Sequence, residues 1–200
     1  MVFLLSLEII TLGKGNLYAD PVFSPSGKYL GYIELAVDSL HRDTVKVWVY
    51  DIGKKRKYLV EKEGFERWGI PANDYYPEDY LSFAWLSDTL IIYTSDGYRI
   101  KITNWRKKKV LIEKKLSKEM YIGFPLQGIW KILPSPSRKK ILIVDALGGV
   151  ICWGLKKKKI WRVSKSEIDP PFLPFWINDT LMPIHRQKRL VVRHSLSLQS

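Results

Sequence analysis

The stretch PVFSPSGKYL at residues 21–30 decides the fold, together with VKVWVYDI at residues 45–52 and the lysine-rich turn that follows. These segments form the clearest copy of a unit that recurs about four times along the chain. Weaker copies begin near Phe83, Ile132 and Phe175. Repeated units of this kind bury their apolar faces by stacking on their neighbours, so the recurrence predicts a stacked architecture.

The spacing of the copies favours a β-propeller. When the units are aligned on the position before a short turn, that position holds Phe23, Trp85, Pro134 and Trp176. Their separations are 62, 49 and 42 residues. Propeller repeats run at roughly 40 to 50 residues per blade, so the last two separations fit and the first indicates an insertion.

Short strands are predicted throughout. The segments are rich in Val, Ile, Tyr, Phe and Trp and are bounded by Gly, Pro, Asn, Asp and Ser, which is typical of strands. Asp-Gly at 96–97 and Gly-Gly at 148–149 are hairpin signals, and residues 117–120 are the best candidate for a helical turn. We predict an all-β, β-propeller-like fold of about four four-stranded blades, in a single domain over residues 1–200.

The repeat units are predicted at residues 21–63, 80–116, 130–165 and 171–200. The last unit shows only three strands, and residues 1–12 are the candidate for its missing strand. Pairing of these residues with the last unit would close the ring and remove exposed strand edges. The alternative is an incomplete propeller, whose free edge favours self-association or pairing with another chain.

The first unit carries a family resemblance. Residues 21–30 resemble the P-x-W-S-P-D-G-K-x-I segment of TolB-like propellers, and residues 47–55, VWVYDIGKK, resemble the strand that follows it, a feature shared loosely with WD-repeat blades. The resemblance is good over residues 21–62 and fades in the later units, and Ser26 stands where the family usually has Asp. It implies a propeller of a kind that serves mostly as an interaction platform, and in some cases as a substrate-gating domain of serine peptidases, which is inference by analogy.

Basic residues cluster in the predicted turns between the third and fourth strands (the c–d turns) and in one turn between the first and second strands (an a–b turn). In a propeller both kinds of turn lie on one face, which would therefore be strongly positive and could neutralise several phosphates. The alternative is that turn lysines keep strand edges soluble and block stray pairing. The polyanion-binding candidates are Lys54, Lys55, Arg56, Lys57, Arg106, Lys107, Lys108, Lys109, Arg138, Lys139, Lys140, Lys156, Lys157, Lys158 and Lys159, with Lys28 beside them.

Aromatic residues mark the connection between the first two units, predicted as a loop over residues 63–80. Its acidic residues and prolines accompany five rings, and rings on a loop can supply the dominant contacts of a protein interface. The alternative is that the loop packs its rings onto its own blades. The protein-binding candidates are Phe65, Trp68, Tyr75, Tyr76 and Tyr80.

Catalysis is not predicted. The sequence contains no Gly-x-Ser-x-Gly elbow, phosphate-binding loop or His-Glu-x-x-His motif. His185 and His194 could approach each other but lack an evident third ligand, so no metal or cofactor is expected. Cys152, the one cysteine, excludes an intramolecular disulfide and is predicted to be buried and inert in a strand.

Charge points to an anionic partner, and the N-terminal sequence leaves the compartment open. The net charge is +13, from 33 basic and 20 acidic residues. No apolar run is long enough for a transmembrane helix. A cytoplasmic location is slightly favoured, because no basic residue precedes the apolar run at residues 2–10 and Glu8 interrupts it. Export follows if residues 1–19 are a signal peptide.

These features predict a non-enzymatic protein-interaction scaffold that contacts another protein through residues 63–80. The alternative is a binder of nucleic acid or another polyanion that uses the lysine turns. A weaker alternative is a regulatory propeller of a peptidase-type system.

Overall fold

The computed structural model describes residues 17–36, 42–66, 81–94, 99–116, 129–145, 149–156, 159–164 and 175–182. The predicted closing strand, the predicted helical turn and the third predicted strand of the last unit lie outside these residues. Within them the chain forms fourteen strands and no helix.

The strands form three four-stranded sheets and a hairpin. Sheet I comprises β1 (Leu17–Phe23), β2 (Tyr29–Ala36), β3 (Arg42–Asp51) and β4 (Arg56–Glu66). Sheet II comprises β5 (Phe83–Trp85), β6 (Leu90–Tyr93), β7 (Arg99–Asn104) and β8 (Lys109–Lys115). Sheet III comprises β9 (Ile129–Pro134), β10 (Lys140–Asp145), β11 (Val150–Gly154) and β12 (Lys159–Ser164). The hairpin comprises β13 (Phe175–Ile177) and β14 (Thr180–Met182).

Each sheet is an antiparallel meander in which the spatial order of the strands follows the chain. This confirms the all-β prediction and the four-stranded organisation of the first three units. The one clear difference lies in β4, which pairs with β3 as far as Glu66, so the first four residues of the predicted loop, 63–66, belong to a strand. Phe65 consequently lies in a strand opposite Asp43.

The middle sheet is buried on both faces, which explains its short, continuous apolar strands. Phe83, Ile91 and Tyr93 pack in the core shared with sheet I. The alternate residues Ala84 and Ile92 pack in the core shared with sheet III. Successive side chains of a strand point to opposite faces, so one apolar run supplies both cores.

The sheets pack face to face in chain order, with their first strands adjacent. β1 contacts β5, and β5 contacts β9. A third core joins sheet III to the hairpin, where Trp176 packs against a cluster that includes Leu142 and Cys152. The outer strand β8 is mostly exposed, so burial decreases from the first strand of the sheet to the last.

Tryptophans at the aligned position join one unit to the preceding one. Trp85 Nε1 donates to the carbonyl of Val22 at 2.8 Å, and Trp176 Nε1 donates to the carbonyl of Leu133 at 2.9 Å. In the third unit the aligned residue is Pro134, which has no side-chain N–H to donate. Between sheets II and III the link is made instead by Arg138, whose Nη1 donates to the carbonyl of Trp85 at 3.1 Å.

An aspartate three residues after each of these tryptophans adds a second link. The Ser26 N–H donates to Asp88 Oδ1, and the Ser137 N–H donates to Asp179 Oδ1, both at 3.1 Å. Hydrogen bonding by the side chain and N–H of the serine lowers the pKa of each aspartate and outweighs the opposing effect of burial. The a–b turn of one unit is thus held by a carboxylate of the next.

Candidate functional site

The first two c–d turns share one geometry, which determines how their basic side chains are presented. Asp51 Oδ1 accepts the Lys54 N–H at 3.0 Å, and Asn104 Oδ1 accepts the Lys107 N–H at 3.1 Å. Short Asp and Asn side chains favour turns because they reach the backbone a few residues ahead. Each turn then passes through a left-handed residue, one of which is Lys108 with φ 48°.

The a–b and c–d turns lie side by side in all three sheets. The first residue of each c–d turn donates its N–H to the a–b turn of the same sheet. These bonds run from Ile52 to the Lys28 carbonyl at 3.0 Å, from Trp105 to the Thr89 carbonyl at 3.2 Å, and from Leu155 to the Lys139 carbonyl at 3.0 Å. Each sheet therefore presents both turns at one end.

Most predicted polyanion-binding residues are exposed at these turns, whereas Arg138 and Lys140 are half-buried. Arg138 is occupied by its bond to Trp85, and Lys140 Nζ lies 3.4 Å from the Asp179 carbonyl. Lys157 and Lys158 lie outside the described residues. The exposed members are Lys54, Lys55, Arg56, Lys57, Arg106, Lys107, Lys108, Lys109, Lys139, Lys156 and Lys159.

A cleft of about 740 Å³ opens where the turns of sheets I and II meet. Among the described residues, four cationic ones line it, Lys28, Lys54, Arg106 and Lys108, together with a single carboxylate, Asp51. That carboxylate caps the first c–d turn and has its second oxygen 4.0 Å from Lys54 Nζ. The residues that line the cleft therefore carry a net positive charge.

Aromatic rings line the same cleft, and their presence there was not predicted from the sequence. Trp105 lies 5.1 Å from the Tyr29 ring and 5.5 Å from the Tyr58 ring, measured between centroids. The Arg106 guanidinium lies 5.3 Å from the Tyr29 centroid and 5.4 Å from the Trp105 centroid, and it donates to the Tyr29 hydroxyl. The available signal was the position of Tyr29 and Trp105 directly beside basic turn residues.

The predicted aromatic loop is largely outside the described residues. Trp68, Tyr75, Tyr76 and Tyr80 fall there, and Phe65 is placed in β4. Its protein-binding role stays a prediction.

A charged cluster toward the other end of sheets I and II has its groups paired with one another. Lys101 Nζ, in a side chain only 8% exposed, bonds to Glu61 and lies 3.0 Å from Glu63 Oε2. Arg99 Nη2 lies 2.7 Å from Glu63 Oε1, and the Tyr93 hydroxyl donates to Glu61. Burial would lower the pKa of Lys101, but its bonds to the two glutamates raise it. These ion pairs join sheet I to sheet II, so the cluster has a structural role.

Cys152 is buried, as predicted. Its side chain lies in the core between sheet III and the hairpin, and burial raises the pKa of the thiol from 9.0 to about 11. A thiol with so high a pKa is protonated and unreactive near neutral pH.

No protein-family model matches the chain, and a search of curated proteins found no match. Among the residues that the structure describes, no group of three or more His, Cys, Asp or Glu side chains is arranged to hold a metal ion. The described part of the chain also has no helix with the length and apolarity needed to cross a membrane.

Proposed function

We propose that this chain is a non-catalytic binding module, built on a β-propeller of about four units, that binds nucleic acid or a similar polyanion through its lysine turns. The propeller is supported by three meander sheets that pack in chain order with their first strands adjacent. The observation that carries the binding role is the cleft, because it gathers four cationic side chains from three separate turns. Residues far apart in sequence thereby form one basic surface.

The paired turns favour binding over a purely solubilising role. Lysines that only protect strand edges can be spread over any exposed strand. Here the c–d turns are hydrogen-bonded to the a–b turns, so the cationic residues of both turns are held together at one end of each sheet. Closely spaced cations on a rigid frame repel one another and are compensated by a multivalent anion.

Charge reversal with matched controls tests the proposal. We expect Lys54→Glu combined with Lys108→Glu, two residues that line the cleft, to weaken binding of a fluorescent oligonucleotide by about tenfold at low salt. The salt dependence should become less steep by about one unit for each phosphate that is no longer neutralised. Lys62→Glu combined with Lys115→Glu makes the same change in net charge toward the far ends of β4 and β8. Fluorescence anisotropy over a salt series gives both quantities.

Two results would overturn the proposal. One is an absence of binding by the unaltered protein at low salt to single-stranded, duplex and polyphosphate probes alike. The other is an equal loss of affinity in the two double variants, which would show that only the total charge matters.

A further inference from the structure

The cleft between sheets I and II differs from the equivalent positions elsewhere in the described sheets. The first residue of the c–d turn is Trp105 in sheet II, but Ile52 in sheet I and Leu155 in sheet III. The residue that opens the second strand is Tyr29 in sheet I, but Leu90 in sheet II and Lys140 in sheet III. Aromatic residues are thus concentrated where two basic c–d turns meet.

At this cleft the planar guanidinium of Arg106 is held in place by its neighbours. The Arg106 side chain is exposed, yet its guanidinium is held over the buried rings of Tyr29 and Trp105 and bonds to the Tyr29 hydroxyl. Tyr58 is only half-buried beside Trp105, with the Arg56 guanidinium 5.4 Å from its ring centroid. A guanidinium can stack on a flat π-system and also pair with phosphate.

We infer that this cleft binds one nucleotide unit of a single-stranded nucleic acid, and this inference rests on the proposed function. The base stacks against Tyr58 and the Arg106 guanidinium, while the flanking phosphates are bound by Lys54 and Lys108. Positive grooves lined with stacking side chains are the recurrent means of binding single strands without sequence preference. The cleft volume of about 740 Å³ is within the size range of sites for ligands as large as a nucleotide.

The aromatic lining of the cleft favours a single-stranded nucleic acid over other polyanions. Polyphosphate and sulfated polysaccharides carry the charge but have no planar ring to stack. In duplex DNA the bases are stacked on one another, so their faces are not available to stack against side chains of the cleft. A single strand presents both an unstacked base and a phosphate on each side of it.

The test compares the affinity for oligothymidylate with the affinity for polyphosphate. We expect Tyr58→Leu to reduce the ratio of the two affinities roughly 5- to 100-fold, because stacking is removed while the cationic residues remain. Tyr58→Phe should preserve the ratio, since the ring is retained. The matched control is Tyr50→Leu, because Tyr50 lies next to Val49, the partner of Tyr58, and so points to the opposite face of sheet I.

Arg106→Lys provides a second route if Tyr58→Leu fails to fold. It keeps the charge but removes the planar group, and we expect it to lower the same ratio. Circular dichroism melting identifies the folded variants.

Each outcome is decisive. A ratio that falls for Tyr58→Leu but not for Tyr50→Leu supports the inference. An unchanged ratio for Tyr58→Leu and Arg106→Lys overturns it and leaves the polyanion role in place, and an equal fall in both Leu variants also overturns it. A protein that binds none of the probes overturns both the inference and the proposed function.

Discussion

Gly31 in sheet I makes room for the Phe83 ring of sheet II. A Cβ built at this position in β2 would lie 2.1 Å from two carbons of the Phe83 ring, which is itself buried in the core shared by sheets I and II. Its backbone does not need glycine for conformation, because its φ lies outside the left-handed region and Gly31 pairs with both Val49 and Val22. The absence of a side chain is required to make room for the ring.

Gly31→Ala should therefore be strongly destabilising. We expect a loss of about 3 kcal/mol or more in the free energy of unfolding, since overpacking a rigid core forces side chains and backbone to shift. Urea denaturation measures the loss. Gly64→Ala is the matched control, because no atom lies within 4 Å of the added carbon. Phe83→Leu should restore part of the stability of Gly31→Ala, and equal midpoints for the two glycine variants would contradict this explanation.

At the scale of elements, the a–b turn of sheet I depends on a carboxylate of sheet II. We expect Asp88→Ala to cost about 1 kcal/mol at neutral pH, because the Ser26 N–H loses its acceptor but remains exposed to water. The pKa of Asp88 is lowered from 3.8 in the folded protein, so its stabilising effect is present above that value and is lost as the pH falls through the folded pKa.

Chemical denaturation at neutral and acidic pH checks this expectation. The difference in stability between the unaltered protein and Asp88→Ala should shrink toward zero in acid. Asp88→Asn keeps an acceptor oxygen without the charge, so it should retain part of the stability and lose the pH dependence. A difference that stays constant down to the most acidic pH would exclude the carboxylate as its source.

The strands and turns were predictable because their signals are local. Alternating valines in residues 45–49 and the matching Ser-Pro-Ser turns at 24–26 and 135–137 specify structure within one unit. The bonds between units were not predictable. Pro134 has no side-chain donor, and Arg138 makes the link to Trp85 instead. This bond depends on how closely sheets II and III pack, and a single sequence contains no local signal of that distance.

Part of the candidate site was predictable because its signals, too, are local in the sequence. Runs of basic residues in predicted turns located the cationic side chains, since turn positions are read directly from the sequence. The aromatic lining was missed because Tyr29 and Trp105 are 76 positions apart and meet only when sheets I and II pack. Phe65 was placed in a loop because nothing local showed that β4 would continue to Glu66.

At the scale of the whole molecule, Lys101 joins sheet II to the two glutamates of sheet I. Lys101→Met should cost about 2 kcal/mol, because two neighbouring carboxylates lose their shared cation. The cost is less than for a fully buried pair, since the glutamate side chains are 20% and 23% exposed. Thermal and urea denaturation measure it.

The control is Lys46→Met, which removes a cation 2.7 Å from Glu34 within sheet I. The Lys46 side chain is 25% exposed, and Glu34, although only 10% exposed, keeps the bond from Trp48 Nε1 at 2.7 Å, so removal of this one cation should cost less than about 1 kcal/mol. A larger effect for Lys46→Met than for Lys101→Met would show that the cluster does not hold the sheets together.

The links at the a–b turns have a direction that bears on how the protein is made. Trp85 and Asp88 both reach back to sheet I, and Trp176 and Asp179 both reach back to sheet III. A ribosome delivers the earlier sheet first, so each of these turns leaves the exit tunnel before the residues that secure it exist. The a–b turns of sheets I and III are therefore completed only after sheet II and the hairpin, respectively, have been synthesised.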